Sequence, residues 1–141
     1  MTSLSRDGAS TRAPAKHALW IGRALSGLVL LFLAMDAGGK LIAPELMIAH
    51  SPPLGLPADA GFMRLLGTIL LACAALYAWP RTALLGAVLL TGSMGGAIAS
   101  HLRLGDPLFS HTLFGVYLGM LFWVGLWLRD ERVRRMMPTL A

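Results

Sequence analysis

The sequence predicts an all-α integral membrane protein, a four-helix bundle with both termini in the cytoplasm. Three observations predict this class. Hydrophobic residues make up 56% of the 141 residues and charged residues only 13%, whereas soluble domains usually carry about a quarter charged residues. The apolar residues fall into four long runs separated by short polar breaks, which is the layout of a polytopic membrane protein. The basic residues collect at the ends of these runs, as they do around membrane spans.

Each of the four runs is long enough to cross a bilayer as a helix. A basic segment precedes the first run, as in a signal peptide, but the run is longer than a signal sequence and lacks a small-x-small cleavage site. We therefore interpret it as a retained span. Pro44 stops the first helix, and Pro80 with Arg81 forces an antiparallel hairpin between the second and third. The predicted spans are Trp20 to Ile42, Phe62 to Trp79, Thr82 to His101 and Thr112 to Leu128.

The distribution of bases predicts the topology. Of the 12 Lys and Arg residues, only Lys40, Arg64 and Arg103 lie with the two longer loops. The positive-inside rule then places both termini in the cytoplasm, and residues 43–61 and 102–111 face the other compartment. The first of these loops is rich in proline, which predicts a folded-back cap rather than one continuous helix. The predicted organisation is a flexible basic tail at 1–17, a four-span membrane domain at 18–130 and a basic cytoplasmic tail at 131–141.

Several function classes are disfavoured by composition and motifs. The net charge is +5, but bases that flank apolar segments are topology signals, so no nucleic-acid partner is predicted. The one cysteine, Cys73, lies in an apolar run and is interpreted as a buried hydrophobe. A single cysteine excludes an intrachain disulfide and a CxxC pair. HExxH, Walker A and GxSxG motifs are absent from the sequence.

Small residues recur at four-residue spacing on the third and fourth spans. Such stripes let helix backbones approach closely. In a bilayer this matters because lipid is as apolar as the side chains, so helices associate largely through close packing. We interpret them as packing surfaces within the bundle, with homodimerisation along the third or fourth helix as the alternative. The predicted packing glycines are Gly92, Gly95, Gly96, Gly115 and Gly119.

Seven ionisable residues should meet at the outer end of the bundle. Asp36 and Lys40 have the i, i+4 spacing and the order that favour an ion pair on a helix, and the other five lie at or near the same membrane side. Ionisable groups near hydrocarbon usually face one another or a cavity. The alternatives are a structural polar plug, an outward pocket for a small molecule or a quinone headgroup, and a proton or transport path. The seven residues are Asp36, Lys40, Arg64, His101, Arg103, Asp106 and His111.

The two histidines of this cluster also raise the question of a metal or a haem, because neutral imidazole is a common ligand. No third ligand stands at a recognisable spacing from His101 and His111. Histidines near helix ends are as easily hydrogen-bonded loop residues. No metal site is predicted, and haem is disfavoured.

Several motifs follow one another along the spans. They are Asp36-x-x-x-Lys40, Tyr77-Ala-Trp-Pro80-Arg81-Thr82 with Leu85-Gly86-Ala87, Leu90-Thr91-Gly92-x-x-Gly95-Gly96-Ala97, and Ser100-His101-Leu-Arg103-Leu-Gly105-Asp106-Pro107. Together, over about Trp20 to Asp130, they resemble the DoxX-like family of small bacterial membrane proteins.

The resemblance implies a four-helix bundle in a bacterial inner membrane. The wider DoxX and DoxD group includes a subunit of a thiosulfate:quinone oxidoreductase and members linked to membrane oxidoreductase complexes. One hypothesis is therefore an accessory subunit of a quinone-linked redox system, in which any thiol-disulfide chemistry belongs to a partner. The other is a non-catalytic scaffold, regulator or small-solute carrier. A free-standing enzyme ranks below both.

Overall fold

The computed structural model describes residues 16–50 and 56–137. Within these two ranges the chain is helical, with no strand, and four helical stretches are long and apolar enough to cross a membrane. The predicted all-α, four-span class is thereby confirmed. The helices are α1 (Lys16–Ile42), α2 (Pro44–His50), α3 (Ala60–Ala78), α4 (Ala83–Leu104), α5 (Phe114–Arg129) and α6 (Glu131–Met136), with a π-helical turn at Leu108–Thr112 that lengthens the fourth span.

The helix ends follow local chemistry. Pro44 opens α2 directly after α1, since proline fits the first turn of a helix but cannot continue one. The Asp59 carboxylate accepts a hydrogen bond from the Phe62 amide at 2.9 Å and caps α3. Between α3 and α4 the hydroxyl of Thr82 donates to the Leu76 carbonyl at 2.8 Å, which closes the tight hairpin. Gly105 ends α4 in the left-handed conformation, with φ of 70°.

The four spans form a closed ring. Helix α1 packs against α3 and α5, and α4 packs against the same two helices, while the diagonal pairs have few close backbone contacts. The buried core lies mainly in the half of the bundle nearest the termini. Its members are Val29, Leu33, Ala37, Leu70, Cys73, Ala74, Tyr77, Ala83, Ala87, Leu90, Phe122, Leu126 and Val133. Cys73 is buried, as a hydrophobe would be.

The predicted tails and the proline-rich loop are only partly described. Helix α1 begins at Lys16, inside the predicted tail 1–17, while residues 1–15 lie outside the described residues. Of the loop at 43–61, the first part forms α2, and residues 51–55 lie outside the description. The segment from 131 begins with α6, whose Val133 is buried in the core cluster. Residues 138–141 are again outside the described part.

Candidate functional site

A cavity of about 650 Å³ lies between the four spans in the half of the bundle away from the termini. Most of its wall is apolar, including Phe32, Phe62 and Leu118. Four acidic, basic or imidazole side chains also line it: Asp36, Lys40, His101 and His111. The cavity is therefore amphipathic. Its four polar side chains come from the last two turns of α1, the last turn of α4 and the π-helical turn. A volume of this size is within the usual range for small-molecule sites, roughly 300–1,000 Å³.

Asp36 and Lys40 form an ion pair along α1. Their spacing of four residues places both side chains on one face, one turn apart. Both side chains are partly buried, and both border the cavity. An ion pair next to an apolar wall is screened less than one in water, so it gives this end of the cavity a strong local dipole.

His101 and Asp106 form a second polar pair at the end of α4. The Nδ1 atom of His101 lies 2.6 Å from a carboxylate oxygen of Asp106. The left-handed turn at Gly105 reverses the chain, and the Asp106 amide donates to the His101 carbonyl at 3.2 Å. The carboxylate is therefore hydrogen-bonded to Nδ1 and orients the imidazole. The other ring nitrogen, Nε2, is not part of this hydrogen bond.

His111 completes the polar end of the cavity. Its ring centroid lies 5.9 Å from that of His101, and its Nδ1 atom lies 2.7 Å from the Ser110 hydroxyl. Among residues 16–50 and 56–137, no group of three His, Cys, Asp or Glu side chains is arranged to hold a metal ion.

The structure brings together five of the seven predicted cluster residues. Asp36, Lys40, His101 and His111 line the cavity, and Asp106 joins them through His101. The other two predicted members, Arg64 and Arg103, are exposed and lie outside the cavity wall. They lie near the start of α3 and in the last turn of α4, so they share the membrane side of the cluster without sharing its cavity.

Only one of the five glycines predicted to pack helices has that role within this chain. A Cβ added at Gly115 would lie 3.0 Å from the Ile98 side chain, whereas nothing lies within 4 Å of such an atom at Gly92, Gly95, Gly96 or Gly119. At these four positions no neighbouring helix in the described part of this chain approaches closely. Gly92 and Gly96 instead line the cavity, where the missing side chains leave space between the helices.

Close helix approach depends on other glycines. A Cβ at Gly22 or Gly125 would collide across the α1–α5 contact, one at Gly67 across the α1–α3 contact, and one at Gly86 would lie 2.2 Å from the Tyr77 amide nitrogen. One signal for this was present in the sequence. Gly22 and Ser26 have the same four-residue spacing as the stripes on the later spans.

The fold and the site together define a class of protein, a four-span membrane bundle with an amphipathic cavity between its helices. The model of the DoxX-like family matches residues 24–125. The chain therefore belongs to the DoxX-like family, as the motif resemblance predicted. Neither the curated proteins nor the solved structures contain a match to it.

Proposed function

We propose that this DoxX-like protein binds an isoprenoid quinone in its amphipathic cavity, as an accessory subunit of a quinone-linked redox system in a bacterial inner membrane. One observation carries the proposal. A cavity of about 650 Å³ within the membrane-spanning helices has an apolar wall and four ionisable groups at one end. A quinone has the same division, with two carbonyl oxygens on the ring and an apolar isoprenoid tail.

The polar groups suit a quinone ring. The Lys40 ammonium and a histidine N–H are hydrogen-bond donors, and the carbonyl oxygens of a quinone are acceptors. The apolar part of the wall, with Phe32, Phe62 and Leu118, would contact the ring face and the first part of the tail. The headgroup would therefore bind at the polar end of the cavity, and the tail would remain in the apolar region.

His101 is the residue best placed to exchange a proton. Reduction of a quinone to a quinol takes up two electrons and two protons, so a binding site needs side chains that can pass on protons. An imidazole can do this through its two ring nitrogens, and Asp106 at 2.6 Å from Nδ1 orients the ring of His101. The electrons come from a partner protein. The sequence has one cysteine, so a dithiol donor would also belong to that partner.

The proposed topology has the N and C termini in the cytoplasm, with the polar end of the cavity toward the other side of the inner membrane. This follows from the excess of Lys and Arg at the termini and in the short α3–α4 turn. Labelling of single cysteines placed at Arg81 and at Arg103, in a Cys73→Ala background, tests it. We expect a membrane-impermeant thiol reagent added outside to label position 103 and not position 81.

Quinone binding is tested with two matched glycine variants on α4. Gly96 lines the cavity, whereas Gly95 does not, and a Cβ at either position meets no neighbour. In lipid nanodiscs, Gly96→Leu should weaken binding of a short-chain benzoquinone at least about tenfold by filling the cavity, while Gly95→Leu should bind it as the wild type does. His101→Ala should weaken binding and also lower the thermal stability, because it leaves the Asp106 carboxylate without its imidazole partner.

Mass spectrometry of the organic extract provides a direct check, and stoichiometric quinone in the purified protein is the expected result. Absence of both extractable quinone and titratable binding would overturn the proposal. Equal binding by the Gly96→Leu and Gly95→Leu variants would place the quinone elsewhere on the protein.

A non-catalytic scaffold, regulator or small-solute carrier is the second candidate. It is favoured by the open space beside Gly95 and Gly119, which lie on adjacent helices and outside the cavity wall. Small residues on an outer helix surface allow a partner helix to approach closely. This function predicts an oligomer or a defined membrane partner that Gly119→Leu disrupts in native mass spectrometry, with no quinone bound.

A further inference from the structure

A second, smaller cavity lies at the opposite end of the bundle. Its volume is about 230 Å³. It lies where the first turns of α1 meet the α3–α4 turn and the end of α5, at the level where span ends reach lipid headgroups. The lining residues are Arg23, Pro80, Ala83, Leu126, Arg129 and Asp130.

Close packing of α1 on α5 brings two arginines to this cavity. A Cβ at Gly22 would lie 2.7 Å from the Leu128 Cβ atom and 3.0 Å from the Arg129 amide nitrogen. The two helices can approach this closely only because residue 22 has no side chain. Arg23, the next residue, lines the same cavity as Arg129.

The guanidinium of Arg129 is held in place by the protein. Its Nη2 atom donates to the Tyr77 carbonyl at 2.8 Å, and its Cζ atom lies 4.7 Å from the centroid of the Tyr77 ring. Its Nε atom is buried without a hydrogen-bond partner. A guanidinium that the protein already holds in place loses little conformational entropy when it binds an anion.

Asp130, the one acid among the described residues that line this cavity, is already paired with an arginine that does not line it. The Asp130 carboxylate accepts hydrogen bonds from the amide, Nε and Nη2 atoms of Arg132, at 3.0, 3.2 and 2.9 Å. Partial burial acts to raise the pKa of Asp130, but the hydrogen bonds and charge of Arg132, with the charge of Arg129, lower it overall. Asp130 thus stays ionised and bound to Arg132, and the cavity has a net positive charge.

We propose that this cavity binds the phosphate of an anionic phospholipid. Arginine binds phosphate oxygens through its fork of N–H donors, and basic pockets between spans at the headgroup level bind anionic lipids. The small volume admits a phosphate with part of its glycerol, and the acyl chains remain in the bilayer along the apolar outer surface of the spans. Because Asp130 is paired with Arg132, the described lining residues offer no unpaired acid to bind the choline of a zwitterionic lipid.

The test compares two arginines at the same end of the bundle. Arg23 lines the cavity, and its side chain is exposed, with its Cζ atom 5.7 Å from the Trp20 ring. Arg81 is also exposed but does not line the cavity. Both can be changed without removing a buried contact. The full chain is purified with phosphatidylglycerol or phosphatidylcholine, and bound lipid is measured by native mass spectrometry.

We expect the wild type and Arg81→Gln to retain phosphatidylglycerol in preference to phosphatidylcholine. Arg23→Gln should weaken phosphatidylglycerol binding about fivefold, the effect of one basic residue near an anionic headgroup. An equal loss of phosphatidylglycerol binding in both variants would show that the lipid responds only to general surface charge. That result would overturn the proposed site. Displacement of the lipid by millimolar inorganic phosphate, with no preference between the two lipids, would overturn the assignment to a phospholipid.

Discussion

The hydroxyl of Tyr77 on α3 lies 2.9 Å from the hydroxyl of Ser26 on α1, and both side chains are buried. Tyr77 also donates to the Phe122 carbonyl on α5 at 2.8 Å, so one phenol links three of the four spans. Its ring contacts Phe122 edge to face and lies under the Arg129 guanidinium. The core half of the bundle is therefore organised around Tyr77, whereas the other half remains open as the cavity.

Tyr77→Phe should lower the free energy of unfolding by about 1 kcal/mol, because it leaves Ser26 and a buried carbonyl without this partner in an apolar surrounding. The measurement is thermal unfolding in mild detergent. Tyr117→Phe is the matched control, since Tyr117 is exposed on the outer surface of α5. Equal melting temperatures for the two variants would contradict a stabilising role of the Tyr77 hydroxyl.

Gly86→Ala should prevent normal folding of the α3–α4 hairpin. A Cβ at this position would lie 2.2 Å from the Tyr77 amide nitrogen and 2.5 Å from its Cα atom, so the backbone itself would have to move. We expect a cost of about 3 kcal/mol or more, seen as a low yield of monodisperse protein. Gly27→Ala is the control, because nothing lies within 4 Å of the added methyl. A normal yield of Gly86→Ala protein would contradict this prediction, because it would show that α3 and α4 can move apart enough to accept the methyl group.

Loss of one charge at the Asp36–Lys40 pair should be more harmful than loss of both. Asp36→Asn leaves Lys40 beside an apolar wall without its ion-pair partner and should cost about 1 kcal/mol. Adding Lys40→Met should restore part of that stability. Glu131→Gln, which breaks the exposed pair with Arg135, should change the melting temperature little. Additive losses in the double variant would mean that the two charges do not interact.

Asp130 should give the protein an acid-sensitive component of stability. Its carboxylate caps α6, accepting from the Arg132 amide, and its folded pKa lies below the ordinary value of 3.8. The carboxylate therefore stabilises the fold above that value, and this contribution is lost as the pH falls through the lower folded pKa. Asp130→Ala should cost about 1 kcal/mol at neutral pH.

Asp130→Asn separates the two contributions of this residue. An asparagine keeps a capping oxygen but cannot titrate, so its melting temperature should depend less on pH below about 4 than that of the wild type. Identical pH profiles for the two proteins would exclude Asp130 as the source of the acid sensitivity.

Much of the fold could be predicted because the signals are local. Pro44 and Pro80 mark helix ends wherever the helices pack, and runs of about 20 apolar residues define spans by length alone. The Asp36–Lys40 pair was also predictable, since four residues on a helix always share a face. By contrast, α6 and the π-helical turn before α5 were not predicted, because their patterns are short.

The candidate site was predicted less completely, and the glycines show why. Gly92 and Gly115 have identical four-residue patterns, yet one lines a cavity and the other contacts Ile98. Arg64 and His101 were both placed at the same membrane side, yet only His101 lines the cavity. A pattern along one helix gives the membrane depth of a residue and its face, but not the direction in which that face points.

The sequence by itself determined the number of spans, their approximate ends, the i, i+4 ion pair and membership in a family, because each depends on neighbours along the chain. Only the tertiary structure decided which glycines lie in helix contacts, that His101 and Asp36 share a cavity, and that Tyr77 joins three helices. These depend on the rotation of each helix about its own axis. That rotation follows from the packing of all four spans together, where a single Cβ at Gly22 or Gly86 would change the distance between two helices.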